Sequence, residues 1–442
     1  MSYCRELVGD PVPTSDTEAD ILLRDDGAAA ARLASKLVVP LNDNFVERPW
    51  GGYGLRALKR APSDGTDSLR RIGECFEIAA DDRDAEARSY PSRIRLRDGS
   101  VATLPALLDA HAETLLGARF VARHGRRWPL LPKTLDIVEL LSVQAHPPGN
   151  TEVYVILAAE PGATLRLGFK RDVDAKSFGT RVAAGRRDQQ RLKELCGAVL
   201  DDEALQSELK PWLADRAATP AALEPRWRPL LGKRWPDVAD VLRALHAAYW
   251  DVLDLMNEIP VVPGQVLYNA TPERIASARR MPRSAEIHAL GNTQALEIVA
   301  LEIRKPGTTY RAWDNVRFPL RDVDADAAIA ALNLQRTRPE EFVVARRPVP
   351  GRSGVAVSVD SDEYRLEHLT PTATASIDVA AGEPHNLHAL AGAVSVYASD
   401  GALVGRLASG DSALVPIGVG AYRVVADAEP AEVLKVSVPD AV

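Results

Sequence analysis

The sequence predicts a mainly β protein in which a helical block interrupts one β region and a second β region follows. Three observations predict this. Short β-prone runs bounded by Gly, Pro and Asp turns fill residues 41–175 and return over 259–335. Apolar residues at helical spacing dominate 176–258, where β-branched clusters are few. Residues 336–442 are again rich in Val, Ala, Gly and Thr, with regular turns. At 442 residues the chain also exceeds what one hydrophobic core usually serves.

Residues 1–40 read as an extension, with one Ala- and Leu-rich helix over Thr17–Leu37 that packs or stays solvated. Strands are expected at Arg93–Leu96 before Asp98-Gly99, at Ile137–Val143, and at Val153–Leu157 before Pro161-Gly162. A helix over Leu104–Leu116 interrupts them. The helical block holds Arg187–Val199, Ala204–Ala217 and Trp235–Asn257. In the last, Val238, Val241, Leu242, Leu245 and Tyr249 share one face. Val261–Leu267 then makes a turn between strands, Ala295–Ile303 is a strand, and Asp322–Leu334 is a short helix. From Phe342 onward, turns at Ser399-Asp400-Gly401 and Ser409-Gly410-Asp411 punctuate the second β region.

The net charge of -7 is spread along the chain with no basic stripe, which argues against nucleic-acid binding. No apolar run approaches the ~20 residues that span a bilayer. The first residues carry Glu6, Asp10 and Asp16 and no apolar core of a secretory signal. Cys4, Cys75 and Cys196 are odd in number and far apart, so a disulfide framework is not expected. These features together predict a reduced, cytoplasmic setting.

Leu141-Ser142-Val143-Gln144-Ala145-His146-Pro147 carries the most chemistry. In a strand, Gln144 and His146 point to one side. Pro147-Pro148-Gly149-Asn150 is turn chemistry, and a hairpin there would return Glu152 toward them. His288 lies on a separate β segment. Two imidazoles, a carboxylate and an amide oxygen suit a divalent ion such as Zn²⁺. The same His-Pro also fits ordinary packing at the end of an apolar strand.

Several segments resemble the type I mannose-6-phosphate isomerases, which are zinc-dependent cupins. They are Pro49-Trp50-Gly51-Gly52, Gly73-Glu74-Cys75-Phe76-Glu77, Trp128-Pro129-Leu130-Leu131-Pro132-Lys133, the Ser142-Val143-Gln144-Ala145-His146-Pro147 run, Thr151-Glu152-Val153-Tyr154, Ile287-His288-Ala289 and Thr308-Thr309-Tyr310-Arg311. They occur in family order over residues 40–330. The resemblance implies a cupin (jelly-roll) barrel with an inserted helical subdomain and a second C-terminal cupin-like domain. It implies one Zn²⁺ per chain, or another divalent ion, on Gln144, His146, Glu152 and His288. Arg311 would be the catalytic or phosphate-binding arginine. Lys133 and Ser142 would line the cavity, with Lys133 also a catalytic candidate and Trp50 a substrate contact. The implied partner is a sugar phosphate, and the implied assembly a monomer or homodimer. The sequence departs from the family after His146-Pro147 and before Thr308. It also departs between Gly264 and His288, where an insertion carries Arg274, Arg279, Arg280 and Arg283. Isomerisation of another sugar, or carbohydrate binding without turnover, is the alternative.

Aldose–ketose isomerisation needs a base to move a proton between adjacent carbons. Glu297 and Glu302 are the candidates on the strand after His288. Five residues apart, they point to opposite faces, so one alone can reach the cavity. Glu286, two before His288, could ligate, act as base or pair with a rim arginine. In the C-terminal region, Gly410-Asp411 through Pro416 resembles a cupin turn. His385 and His388 lack an accompanying ligand set there and are expected at the surface, in a metal-free barrel.

Overall fold

A computed structural model describes residues 17–24, 27–60, 70–81, 85–270 and 285–439. Its strands, in chain order, are β1 (Phe45–Gly52), β2 (Ile72–Phe76), the small pair β3 (Arg93–Arg95) and β4 (Val101–Thr103), β5 (Lys133–Ile137), β6 (Val143–Ala145), β7 (Glu152–Ala159), β8 (Thr164–Phe169), β9 (Met256–Pro260), β10 (Val266–Asn269), β11 (His288–Ala289), β12 (Ile298–Arg304) and β13 (Tyr310–Trp313). Two antiparallel sheets result. One has six strands in the order β1-β2-β5-β12-β7-β10, and the other five in the order β13-β6-β11-β8-β9.

Alternation along the strands builds three layers of core. Leu135, Ile137, Tyr154, Ile156, Ile298 and Ala300 of the first sheet meet Leu165, Leu167, Ile259 and Leu290 of the second in one buried cluster. The two sheets therefore pack face to face as a sandwich. The outward residues of the five-stranded sheet, Val143, Ala145, Ile287, Ala289 and Trp313, join the helical block. Those of the six-stranded sheet, Val153, Val155, Leu301 and Ile303, pack against Leu104, Leu107 and Trp128 and against Leu414, Leu434 and Val436 of the C-terminal sheet. Fully buried side chains such as Phe178 and Leu242 each contribute roughly 2 kcal/mol to this packing.

The helical block begins at Asp174, whose carboxylate accepts from Ser177 N at 2.7 Å and caps Ala175–Cys196. Glu203–Ala214, Glu224–Leu231 and Trp235–Leu253 follow. The third expected helix ends four residues early, because the chain turns into β9 at Met256. The Glu224–Leu231 helix was not anticipated; it starts and continues through Pro225 and Pro229, which mask its periodicity. The expected Thr17–Leu37 helix is instead two, Glu18–Leu23 and Gly27–Ala34, and Leu22 and Ala30 bury against the sheet-covering core. The Ile137–Val143 strand is also two, β5 and β6, in different sheets.

The C-terminal region forms an eight-stranded antiparallel sheet built around the long strands His385–Ala398 and Tyr422–Ser437. Helix and strand contribute in comparable measure over the molecule, so "mainly β" understates the helix. The added helices cover outward sheet faces that would otherwise lie open to water. Among the described residues, no helix is long and apolar enough to cross a membrane.

Candidate metal centre

The chain reaches the inside of the sandwich from both sheets. β6 turns Val143 and Ala145 toward the helical block and Gln144 toward the interior. After His146 the chain does not fold back as a hairpin. It crosses from the five-stranded sheet to the six-stranded one, with Gly149 in the left-handed region (φ 88). Asn150 pins the crossing, donating to Lys305 O at 3.1 Å and accepting from Lys305 N at 3.2 Å. Thr151 is held by Glu363, whose Oε2 accepts from its N at 3.1 Å and from its Oγ1 at 2.7 Å. Glu152 then opens β7, opposite Asn269 and Arg304. His288 sits on β11, paired with Gln144 on one side and Leu167 on the other.

His146, Glu152 and His288 converge, with one ligand atom from each lying within 4.8 Å of the others. All three are buried. His146 Nδ1 lies 3.3 Å from Thr308 O, and His288 Nδ1 lies 2.9 Å from Glu286 O. A carbonyl can only accept, so both Nδ1 atoms are assigned the proton and both Nε2 atoms keep a lone pair. Those Nε2 atoms point at one carboxylate, 2.6 Å from Glu152 Oε1 and 3.5 Å from Oε2 respectively. The 2.6 Å approach is out of hydrogen-bond alignment, so His146 Nε2 is a buried acceptor without a donor. The two rings stack 5.1 Å apart at 20°. Gln144 Nε2 donates to Ser142 Oγ at 2.6 Å, which leaves the amide oxygen as its acceptor into the cavity. Backbone carbonyls that orient both imidazoles, beside a carboxylate, are the outer support a divalent ion requires. The donor set fits one.

A cavity of about 280 Å³ opens over this trio. Trp50, Lys133, Ser142, Glu302 and Arg311 all line it, as does Gln144. Lys133 and Glu302 are direct partners across β5 and β12. Burial, and then the negative charge of Glu152, push Glu302 up to about 7. Burial would also raise Glu152. In their protonated forms His146 and His288 outweigh it and hold that carboxyl well below the usual range. Burial keeps His288 below the ordinary histidine value despite Glu152.

Glu297 does not reach the cavity. It lies against Asp136 on the outward face of β5, where burial and then Glu297 push Asp136 up to about 7. Glu286 is buried, and its Oε1 accepts from Asn333 Nδ2 at 3.3 Å. Its contribution at the trio is the backbone oxygen that orients His288. Arg274, Arg279, Arg280 and Arg283 lie outside the described residues. Contrary to expectation, His385 and His388 are buried. Both face neighbouring strands of the long C-terminal sheet, which the pattern of short β runs did not reveal.

Four contributors had no signal of their own. Arg304 places Nε 3.3 Å from Glu302 and 3.9 Å from Glu152. Glu74, within a quoted motif, lies 3.8 Å from Lys133 and 2.9 Å from Arg48. Asn269 Oδ1 accepts from Glu286 N at 3.0 Å, holding the backbone whose carbonyl orients His288, and Glu363 braces Thr151.

Fold and site together define a two-sheet scaffold with an internal His-Glu-His cluster. Solved structures similar to this fold include mannose 6-phosphate isomerases. The one from Bacillus subtilis matches over 91% of this chain and 99% of its own, at 17% identity and a TM-score of 0.59. A mutant phosphomannose isomerase from Salmonella typhimurium matches over 91% and 98%, at 15% identity and a TM-score of 0.57. A zinc-bound mannose 6-phosphate isomerase matches over the same shares, at 15% identity and a TM-score of 0.56. At these identities the likeness establishes the fold. No protein-family model and no curated protein matches the sequence.

Proposed function

We propose that the protein is a metal-dependent aldose–ketose isomerase that interconverts mannose 6-phosphate and fructose 6-phosphate. The observation that carries this reading is a buried carboxyl near 7, Glu302, facing a preformed His146–Glu152–His288 cluster across one cavity. In this reading residues 41–175 and 259–335 form a catalytic cupin, 176–258 its helical insertion, and 336–442 a metal-free cupin-like unit. Zinc is the ion and the cytoplasm the setting, which suits the buried, unpaired Cys75 and Cys196.

His146, Glu152, His288 and Gln144 would hold the ion, which when bound polarises the substrate oxygens. Glu302 takes the proton from one carbon of the bound sugar and returns it to the next. A carboxyl near 7 suits both directions. Lys133, its partner across the strands, supplies positive charge beside that carboxyl. Arg311, half-buried at the wall, grips the phosphate bidentately or steadies the enediolate. Trp50 and Ser142 shape the wall around the sugar. The deciding assay follows mannose 6-phosphate to fructose 6-phosphate conversion in zinc-loaded protein, with and without a chelator. Turnover that the chelator stops and zinc restores is expected. No turnover when zinc-replete refutes the reading.

A further inference from the structure

A second and larger cleft, about 920 Å³, lies between the helical block and the rim of the barrel. It shares no lining residue with the cavity over the metal centre. One wall is a single face of the Glu203–Ala214 helix. Gln206, Ser207 and Lys210 lie along it at spacings of one to four residues, with Leu213 and Ala214 at its end, while Leu205 and Leu209 turn away into the core. The helix thus packs its apolar face inward and leaves its polar face standing off the barrel.

The opposite wall comes from the barrel rim. Asn292, Thr293, Gln294 and Ala295 follow β11, and Asn315 follows β13. Among the described residues, three non-glycine residues have positive φ, and two of them, Ala295 (58) and Asn315 (52), border this cleft. Such conformations cost about 1 kcal/mol or more each and concentrate where a surface is shaped for a ligand. Tyr53, 57% exposed, stands at the mouth.

The charges in the cleft cancel. Glu139 takes both Arg71 and, at 2.7 Å, Lys210, which bridges from the helix to the barrel. Arg317 is neutralised by Asp314 at 3.3 Å and by donating to Leu140 O. Glu203 and Asp215 complete the balance. Gln206, Asn292 and Asn315 spend their amide N–H groups on backbone carbonyls, so what remains to meet a ligand is the Gln294 amide, the Asn315 amide oxygen, the Ser207 and Thr293 hydroxyls and the Tyr53 ring, beside apolar Leu140, Leu213 and Val316 and without an unpaired cation for a phosphate. Clefts between substructures with a few convergent polar groups are the usual small-molecule sites. Exposed aromatic rings stack on the C–H faces of sugars while amides read their hydroxyls.

We propose that this cleft is a second binding site, for a neutral saccharide, separate from the metal centre. It does not depend on the isomerase reading. The test is titration calorimetry of the intact zinc-loaded protein with mannobiose, maltose and trehalose, and in a separate arm with mannose 6-phosphate. At least one neutral disaccharide should bind. Ser207→Trp, which fills the cleft from an exposed position, and Gln294→Ala at the opposite wall should each weaken it about tenfold or more. Chelation and Arg311→Ala should leave it unchanged. The proposal is overturned if no neutral disaccharide binds, if binding survives both Ser207→Trp and Gln294→Ala, or if chelation or Arg311→Ala abolishes it. It is also overturned if mannose 6-phosphate occupies the cleft in preference to the neutral sugars. Because Gln294 is an exposed side chain, its variant keeps the test valid should Ser207→Trp fail to fold.

Discussion

Two pairs of buried histidines, His146 and His288 in the first β region and His385 and His388 in the second, are used differently. In the first, His146 and His288 spend Nδ1 on backbone carbonyls and turn Nε2 toward one carboxylate. In the second, His385 spends Nδ1 on Glu383 O at 2.8 Å and Nε2 on the Tyr422 hydroxyl at 2.6 Å. His388 Nδ1 meets Ser412 Oγ at 2.7 Å, and no carboxylate is its partner. Burial drives both C-terminal imidazoles down to about 3, so they sit neutral in the sheet. Burial alone therefore does not make a histidine a ligand. What separates the pairs is where the lone pair points and whether an anion stands in front of it.

Removing that anion should break the contrast most severely. Glu152→Ala is expected to abolish zinc retention and lower turnover on the order of a thousandfold or more, since it deletes a proposed direct ligand. Metal content by mass spectrometry of the purified protein checks it. His388→Ala, measured beside it, should keep full metal content. Equal loss from both would show that the two pairs do not differ as argued.

The next effect separates two carboxylates on one strand segment. Glu302→Gln should keep its metal and lose roughly a hundredfold to ten-thousandfold in kcat, the usual contribution of a positioned base. Glu297→Gln should leave kcat within about twofold, because it lies on the far face of the sheet. Steady-state kinetics with metal content measured in parallel decides between them.

A smaller effect tests whether the C-terminal region serves the candidate metal site. Glu363 belongs to the C-terminal region yet holds Thr151, the residue before Glu152. Lys305, which clasps the Asn150 turn, lies 3.7 Å from the same carboxylate. Glu363→Ala should weaken zinc about tenfold, as loss of outer support does, without touching a ligand. Competition with a chromogenic chelator measures it. Unchanged affinity would confine the second region to packing.

This dependence marks where the sequence stops being readable. Period-two alternation is enough to put Gln144 and His146 on one face, and to say that Glu297 and Glu302 cannot share one. It cannot say which sheet a strand joins, so the expected hairpin between His146 and Glu152 is really a crossing between sheets. Nor can it find partners such as Glu363, 212 residues from Thr151. The C-terminal histidines looked like surface residues because the strands covering them come from distant sequence. Motif spacing was informative wherever the backbone itself sets the geometry, as at His288 two residues after the carbonyl that orients it.

The smallest expected effect concerns the outward face of β5. Asp136 is fully buried, accepts from Gly54 N at 2.8 Å and from Leu55 N at 3.3 Å, and faces Glu297. Gly52 permits this closeness, since a Cβ there would lie 2.7 Å or less from the carboxyl atoms. Burial, then Glu297, raise Asp136 from 3.8 to about 7. A carboxyl raised on folding is protonated more readily in the native state. Its contribution to stability is therefore full below the unfolded value near 4 and is lost as pH rises toward 7. Glu297→Gln removes the like charge but not the burial, so it recovers only part of that loss. The variant should gain about 1 kcal/mol at pH 8 and nothing near pH 4, where Asp136 is already protonated. Urea unfolding at the two pH values reads the difference, and an equal gain at both would assign the effect to packing instead of shared charge.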